Sequence, residues 1–273
     1  MATPIGNLAD ISGRALDVLR TIDAVAAEDT RVTGRLLTHY GIAKRLLPLH
    51  EHNERHAVRQ ILDLLSSGLS VALTCDAGTP TISDPGALLV AAAREAGFPV
   101  IPVPGANAAI AALSASGFAH PHYLFYGFLP QRAAARRRAL TTLAPLPYTL
   151  VFYEAPHRVE ECVADLRKVL GDERRIALAR ELTKLFESVH TCTLAEAADW
   201  LAADPVRRKG EFVLIVEGAD ARRTPDPDTA RHALSVLLDE LPLKQAVEIA
   251  VKLTGAKKNV LYKMGLAMKK RDS

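Results

Sequence analysis

Short, wholly apolar runs alternate along this chain with longer stretches whose apolar positions recur every three or four residues. The short runs predict strands at 24–27, 45–49, 70–75 and 99–103. The longer period predicts helices at 12–21, 30–40 and 53–67, the last ended by Gly68. Asp84-Pro85 opens a further helix that closes at Gly97, because aspartate caps a helix N-terminus and proline suits the first helical position. A helix at 107–116 then leads to a second set. Its strands fall at 123–128, 148–153, 175–181 and 211–217, and its helices at 131–143, 156–170 and 194–203. Such alternation predicts an α/β layer fold with a largely parallel sheet. The expected division is an N-terminal α/β domain at 1–117, a second α/β domain at 118–222 and a helical segment at 223–273. A proline-rich break at 224–228 precedes that last segment. Two short helices around Thr254-Gly255, within 243–268, give it a helix-turn-helix-like shape.

Composition narrows the class. Of 273 residues, 49% are apolar and 24% charged, the balance of an ordinary globular protein. The three cysteines, Cys75, Cys162 and Cys192, form no C-x-x-C pair, which fits a reducing cytoplasm and gives no zinc framework. No apolar run approaches the ~20 residues that span a bilayer, so no membrane role is expected. Net charge is +3 but unevenly spread. Residues 242–273 hold eight basic and two acidic side chains, +6, which leaves −3 on the rest. A basic tail on a slightly acidic body suits a polyanion partner or, equally, a solvated helix.

The chemistry-bearing candidates lie where strand ends meet helix starts. The longest is Thr74-Cys75-Asp76-Ala77-Gly78-Thr79-Pro80-Thr81-Ile82-Ser83-Asp84-Pro85-Gly86. In open α/β sheets ligands bind beyond the carboxyl ends of strands, and small residues let the backbone approach them. Asp76 is placed to accept hydrogen bonds from an amine or a ribose. Thr3-Pro4-Ile5-Gly6-Asn7-Leu8, Pro102-Val103-Pro104-Gly105-Ala106-Asn107 and Phe152-Tyr153-Glu154-Ala155-Pro156-His157-Arg158 are the other three segments, each also readable as ordinary turn chemistry. Ala27-Glu28-Asp29-Thr30-Arg31 leaves a strand with two carboxylates and an arginine, an N-cap with an ion pair or a cluster for acid–base work. His50, His52 and His56 invite a metal, but no second ligand cluster completes a site, and capping or substrate contact is the better reading. The chain has no Walker A loop, no G-x-G-x-x-G after a strand and no G-x-S-x-G elbow.

Taken in order, T-P-I-G-N-L, A-E-D-T-R, L-H-E-H-N-E, D-A-G-T-P-x-I-S-D-P-G, G-F-L-P, Y-E-A-P-H-R, R-E-L-T-K and K-G-E resemble the 16S rRNA cytidine 2′-O-methyltransferases of the tetrapyrrole methylase (class III) fold. The resemblance covers essentially the whole chain. It implies two α/β domains with S-adenosylmethionine between them, a homodimer, no metal, and the assembled 30S subunit as substrate. By resemblance, Asp76, Ala77, Gly78, Thr81 and Ile82 hold the cofactor from the first domain. Tyr153, Ala155 and Gly210 hold it from the second, and Thr3 to Asn7, with Ile5 and Gly6 as cofactor contacts, lie beneath the reactive methyl. Family members carry an apolar strand just before T-P-I-G-N, so a start upstream of Met1 is expected. For proton removal the candidates are Asp29, Glu28 and Glu181, with Lys184 and His157 behind them. Arg31 is the candidate to orient a phosphate or the base. Arg132, Arg136, Arg137, Arg138, Arg207, Arg208 and Lys209 are expected to form a positive rim for RNA. The competing readings are a tetrapyrrole methyltransferase on the same fold and a non-catalytic RNA-binding factor.

Overall fold

A computed structural model describes residues 1–50, 52–119, 121–219 and 227–269. The chain divides into two compact units, Met1–Gly218 and Ala219–Ser273. The first unit holds two sheets. The first sheet has the order β2-β1-β3, all parallel, from β1 (Ala24–Ala27), β2 (Arg45–Pro48) and β3 (Val71–Thr74). Around it lie α1 (Gly13–Thr21), α2 (Thr30–His39), α3 (Glu54–Ser66) and α4 (Ala87–Glu95), while α5 (Ala108–Ala115) packs on the second sheet, its Ala109 and Ala112 clustered with Val151 and Ile215. Every residue of β1 is buried, as expected of a central parallel strand covered on both faces.

The second sheet has the order β4-β5-β8-β6-β7, formed by β4 (Tyr123–Phe128), β5 (Thr149–Glu154), β6 (Arg175–Arg180), β7 (Ser188–Thr193) and β8 (Phe212–Val216). Only β4 and β5 run parallel; the other three pairings are antiparallel, against the expectation of a largely parallel sheet. Helices α6 (Ala133–Leu143), α7 (Val159–Leu170) and α8 (Leu194–Ala202) accompany it. Phe152, Leu166, Ile176, Leu178 and Leu214 belong to its largest apolar cluster.

Three sequence-based expectations are corrected. The segment 99–103 is not a strand. Pro99 and Pro102 within it, and Pro104 after it, lack amide donors, and its Val103 carbonyl accepts instead from Ala2 N at 3.1 Å. Residues 1–3 lie beside β3: the Met1 ammonium donates to Leu73 O at 2.9 Å, and Thr3 and Gly78 exchange amide bonds of 2.8 and 3.0 Å. Asp84 does not cap α4. The cap is Gly86, at φ 117°, and the Glu54 carboxylate of α3 accepts from Gly86 N and Leu88 N at 2.9 and 3.2 Å. A Cβ on Gly86 would lie 2.6 Å from Leu73, so glycine is required there. Strand β7 was not expected. Its Ser, Thr, His and Cys are half-buried at a sheet edge, where only the β-branched Val189, Thr191 and Thr193 signal a strand.

The second unit is described from residue 227. It contains α9 (Pro227–Glu240), α10 (Leu243–Thr254) and α11 (Lys258–Lys269) around a core of Leu234, Ala246, Val247, Ala250 and Leu261. Helix α10 ends at Gly255 in the left-handed conformation, so the expected turn is present. Of the proline-rich break, residues 224–226 lie outside the described residues, and Pro227 and Asp228 begin α9. No described helix is long and apolar enough to cross a membrane.

Candidate active site

A cavity of about 490 Å³ opens in the first unit between the loops of the two sheets. The first sheet contributes Glu28 from the end of β1 and the loop after β3, from Asp76 to Thr79 and from Ile82 to Asp84. The second contributes Tyr153 to His157 beyond β5, Ala179 and Leu182 around the end of β6, and Glu211 to Val213 entering β8. Ile5, Asn107, Ala108 and Phe128 complete the lining. The volume is that of a small-molecule site.

The loops are locally determined. Gly78 sits at φ 86°, and an added Cβ would meet Ile5 at 3.3 Å, so the loop and the N-terminal turn close on each other only with glycine there. Four non-glycine residues with positive φ, Thr81, Ser83, Glu181 and Thr183, all lie in two cavity-lining loops, where strain is characteristic of functional sites. Tyr153 is half-buried, its ring edge-on to Phe125 and Phe128 at 5.0 and 5.6 Å, and its phenol oxygen accepts from Ala109 N at 3.3 Å. Burial raises its pKa.

Carboxylates crowd the first-sheet wall. Glu28 Oε2 accepts from Asp76 N at 3.2 Å, and Asp76 Oδ1 accepts from Asp29 N at 3.0 Å. Burial raises the pKa of Glu28, and the neighbouring charges of Asp76, Asp84 and Asp29 raise it further. Burial likewise raises Asp76 and Asp84. None of Glu28, Asp76 and Asp84 forms an ion pair among the described residues.

The expected residues separate accordingly. Ile5, Asp76, Ala77, Gly78, Ile82, Tyr153 and Ala155 line the cavity, and so does Glu28. Asp29 does not; it caps α2 and grips Arg31 through bonds of 2.6 to 3.2 Å, which hold its carboxyl well below the usual range. Arg31 is spent in that pair, with its side chain 85% exposed. Glu181 accepts from Glu211 N and Lys184 Nζ at 2.9 and 3.0 Å; burial works against its charge, yet these bonds lower its pKa. Gly210 packs on Glu181 and Gly6 on Lys184, while Thr81 faces solvent. Asn107, at the end of the candidate segment 102–107, lines the cavity as well; Leu182, Ala108 and Phe128 also line it, although none was a candidate for it, Phe128 lying in the G-F-L-P motif.

The expected positive rim is largely used internally. Arg136 is buried against Asp165 at 2.7 Å, Arg137 shares that carboxylate at 2.9 Å, Arg208 pairs with Glu160, and Arg207 lies over Trp200. Arg132, Arg138 and Lys209 remain exposed without an ion pair among the described residues. The three histidines near 50–56 form no group able to hold a metal among the described residues. Asn53 closes the turn there, its Oδ1 accepting from His50 N at 2.8 Å.

This two-sheet fold is shared with solved methyltransferases. The family model of the tetrapyrrole (corrin/porphyrin) methylases matches residues 2–198, and that of the RsmI C-terminal HTH domain matches residues 224–269. The crystal structure of the methyltransferase CobJ superposes with a TM-score of 0.58 at 19% identity, covering 80% of this chain and 92% of that one. The cobalt precorrin-4 methyltransferase CbiF gives 0.58 at 18%, with the same coverage. The ribosomal RNA small subunit methyltransferase I of Vibrio cholerae is 50% identical over 97% of this chain and 92% of its own length. That of Neisseria meningitidis is 44% identical over 99% of this chain and 93% of its own. The chain belongs to the tetrapyrrole methylase family and, within it, to the ribosomal RNA small subunit methyltransferase I family.

Proposed function

We propose that this protein transfers a methyl group from S-adenosylmethionine to the 2′-hydroxyl of a cytidine in 16S rRNA, on the assembled 30S subunit. On this reading it works in the cytoplasm as a homodimer, with α/β domains at 1–117 and 118–222 and a basic helical extension. The observation that carries it is the cavity with one wall of unpaired carboxylates and one of apolar side chains, in a chain half-identical to named rRNA methyltransferases. The residues fit the cofactor. Ile5, Ile82, Tyr153, Ala155 and Val213 offer a slot for a flat base, and Asp76 an acceptor for hydroxyls or an ammonium. S-adenosylmethionine, when bound, supplies a methyl group made electrophilic by its sulfonium.

Glu28 is the residue we assign to take the hydroxyl proton. Of the candidates for catalysis only Glu28 and His157 line the cavity, and burial makes the Glu28 carboxylate a stronger base than an exposed one. Asp29 and Glu181 are each held by a cation. Ile5 and Gly78 shape the floor, and holding the acceptor in line there supplies much of the rate. Arg132, Arg138, Lys209 and the basic residues of α10 and α11 are the candidates for phosphate contacts, which position without reading sequence.

The test is incubation with methyl-labelled S-adenosylmethionine and undermodified 30S subunits, followed by digestion to nucleosides. Label in 2′-O-methylcytidine is expected. No label, with cofactor binding demonstrated, would turn the reading to a tetrapyrrole substrate or a non-catalytic RNA-binding role.

A further inference from the structure

Within the second-sheet wall lies a largely buried charge pair. Glu154, the last residue of β5, has a side chain that is 0% exposed; that of Arg158, four residues on, is 14% exposed. Glu154 Oε1 lies 3.2 Å from Arg158 Nε and accepts from Ala155 N at 2.9 Å. Arg158 Nη2 donates to Leu129 O at 2.7 Å, and Arg158 N donates to Ala155 O at 3.0 Å. One guanidinium therefore ties together two segments distant in sequence. The first is the turn of Ala155, Pro156 and His157; the second is the end of β4, where Phe128 precedes Leu129. Both supply cavity lining.

Stability alone does not account for such a pair. Burying two charges costs several kcal/mol, and an apolar pair of similar volume commonly serves as well or better. Here Glu154 Oε2 and Arg158 Nε are buried without a hydrogen-bond partner, so the pair is not even fully satisfied. What the pair does provide is a fixed distance between the two segments, because the fork holds a carboxylate and a carbonyl at once.

We infer that Glu154 and Arg158 are positioning residues that set His157 and Phe128 at the cavity wall for methyl transfer. The inference rests on the proposed reaction for its kinetic consequence but not for its geometry. It also explains why the Y-E-A-P-H-R segment carries a glutamate and an arginine four residues apart. They fasten the turn, and the residues between them face the cavity.

The decisive variant is the double substitution Glu154→Met with Arg158→Met, compared with Arg158→Lys alone. The apolar pair should melt within a few degrees of the parent, yet kcat on undermodified 30S subunits should fall about a hundredfold, the scale expected when a catalytic element shifts by about 1 Å. Arg158→Lys keeps the charge but reaches only one of the two partners, so kcat should fall about tenfold. A readout independent of activity is the imidazole NMR signal of His157, assigned through His157→Gln; it should shift and broaden in the double variant. A stable double variant with parental kcat and an unmoved His157 signal would overturn the inference. If the double variant does not fold, Arg158→Lys with parental kcat and an unmoved signal overturns it instead. Absence of methyl transfer by the parent chain would count against the proposed reaction, and the NMR comparison would still decide the positioning role.

Discussion

The two walls of the cavity handle charge in opposite ways. On the first-sheet wall, Glu28, Asp76 and Asp84 crowd together without an ion pair among the described residues, and each is less acidic than an exposed carboxylate, first because it is buried and then because like charges surround it. On the second-sheet side the acids are matched: Glu154 by Arg158, Glu181 and Glu211 by Lys184, Asp165 by Arg136 and Arg137. Uncompensated charge costs stability in the free protein and is repaid only by a ligand that donates hydrogen bonds or carries positive charge. Compensated charge fixes shape. On the proposed reading the first wall supplies the reacting carboxylate, and the second, besides its share of the slot for a flat base, holds still. Neutralising an acid on each should have opposite signs for stability.

Glu28→Gln is the largest such test. Loss of a general base lowers kcat by about a hundredfold or more, measured as label in 2′-O-methylcytidine at saturating substrate, while the melting temperature stays level or rises. Glu181→Gln, on the second-sheet side but outside the cavity lining, should lower the melting temperature and leave kcat far closer to the parent. The pH dependence follows from the same wall. A raised folded-state pKa means that the folded protein binds the proton more tightly than the unfolded chain. The first wall's contribution to stability is therefore greatest at low pH and is lost as pH rises through the folded pKa values of Glu28, Asp76 and Asp84. Activity runs the other way, rising as Glu28 deprotonates, with its inflection above that of an exposed glutamate. A Glu28→Gln protein that melts earlier than the parent, or a kcat profile flat across the acidic range, would erase the distinction between the walls.

Arg136→Met probes the matched side away from the cavity. The guanidinium is 1% exposed and bonds Asp165, which would keep only the half-exposed Arg137. Breaking a buried pair from one side costs about 3–5 kcal/mol, an upper bound here because Asp165 is not fully orphaned. Urea unfolding should show a loss up to that size, while the kcat of the folded fraction stays unchanged. A fall in RNA affinity with stability intact would restore Arg136 to the RNA surface that its sequence neighbourhood suggests.

The two walls also differed in how far the sequence revealed them. The first-sheet loop is a local object: its small residues, its Asp-Gly and Pro-Gly spacing and its place after an apolar run all lie within thirteen consecutive residues. The loop and its Asp76 were legible as a candidate site for that reason, while Ala77, Gly78 and Ile82 were singled out by the family resemblance. The second wall is assembled from β4, β5, β6 and β8, and nothing near Leu182 or Phe128 says that these meet. The adjacent acids Glu28 and Asp29 look alike in sequence, and only the start of α2 separates them. Asp29 is its N-cap and points its carboxylate at Arg31, which leaves Glu28 for the cavity. The mixed direction of the second sheet was hidden for a different cause. An amphipathic pattern reports which face a residue takes, not which neighbour its strand pairs with.

Surface charge should carry the smallest effect. Arg138 is exposed on α6, beside the buried Arg136 and the half-used Arg137. If it meets RNA phosphate, Arg138→Ala should reduce the slope of log affinity against log salt by about one and weaken binding evenly across sequences. The melting temperature and kcat at saturating RNA should not move, because the side chain makes no ion pair among the described residues. Filter binding of undermodified 30S subunits over a salt series measures the slope directly. An unchanged slope would place the RNA elsewhere, on Lys209 or on the lysines of α10 and α11. If the slope also survives Arg132→Ala and Lys209→Ala, the second-sheet side is a scaffold in full, with its exposed cations as idle toward the substrate as its buried ones.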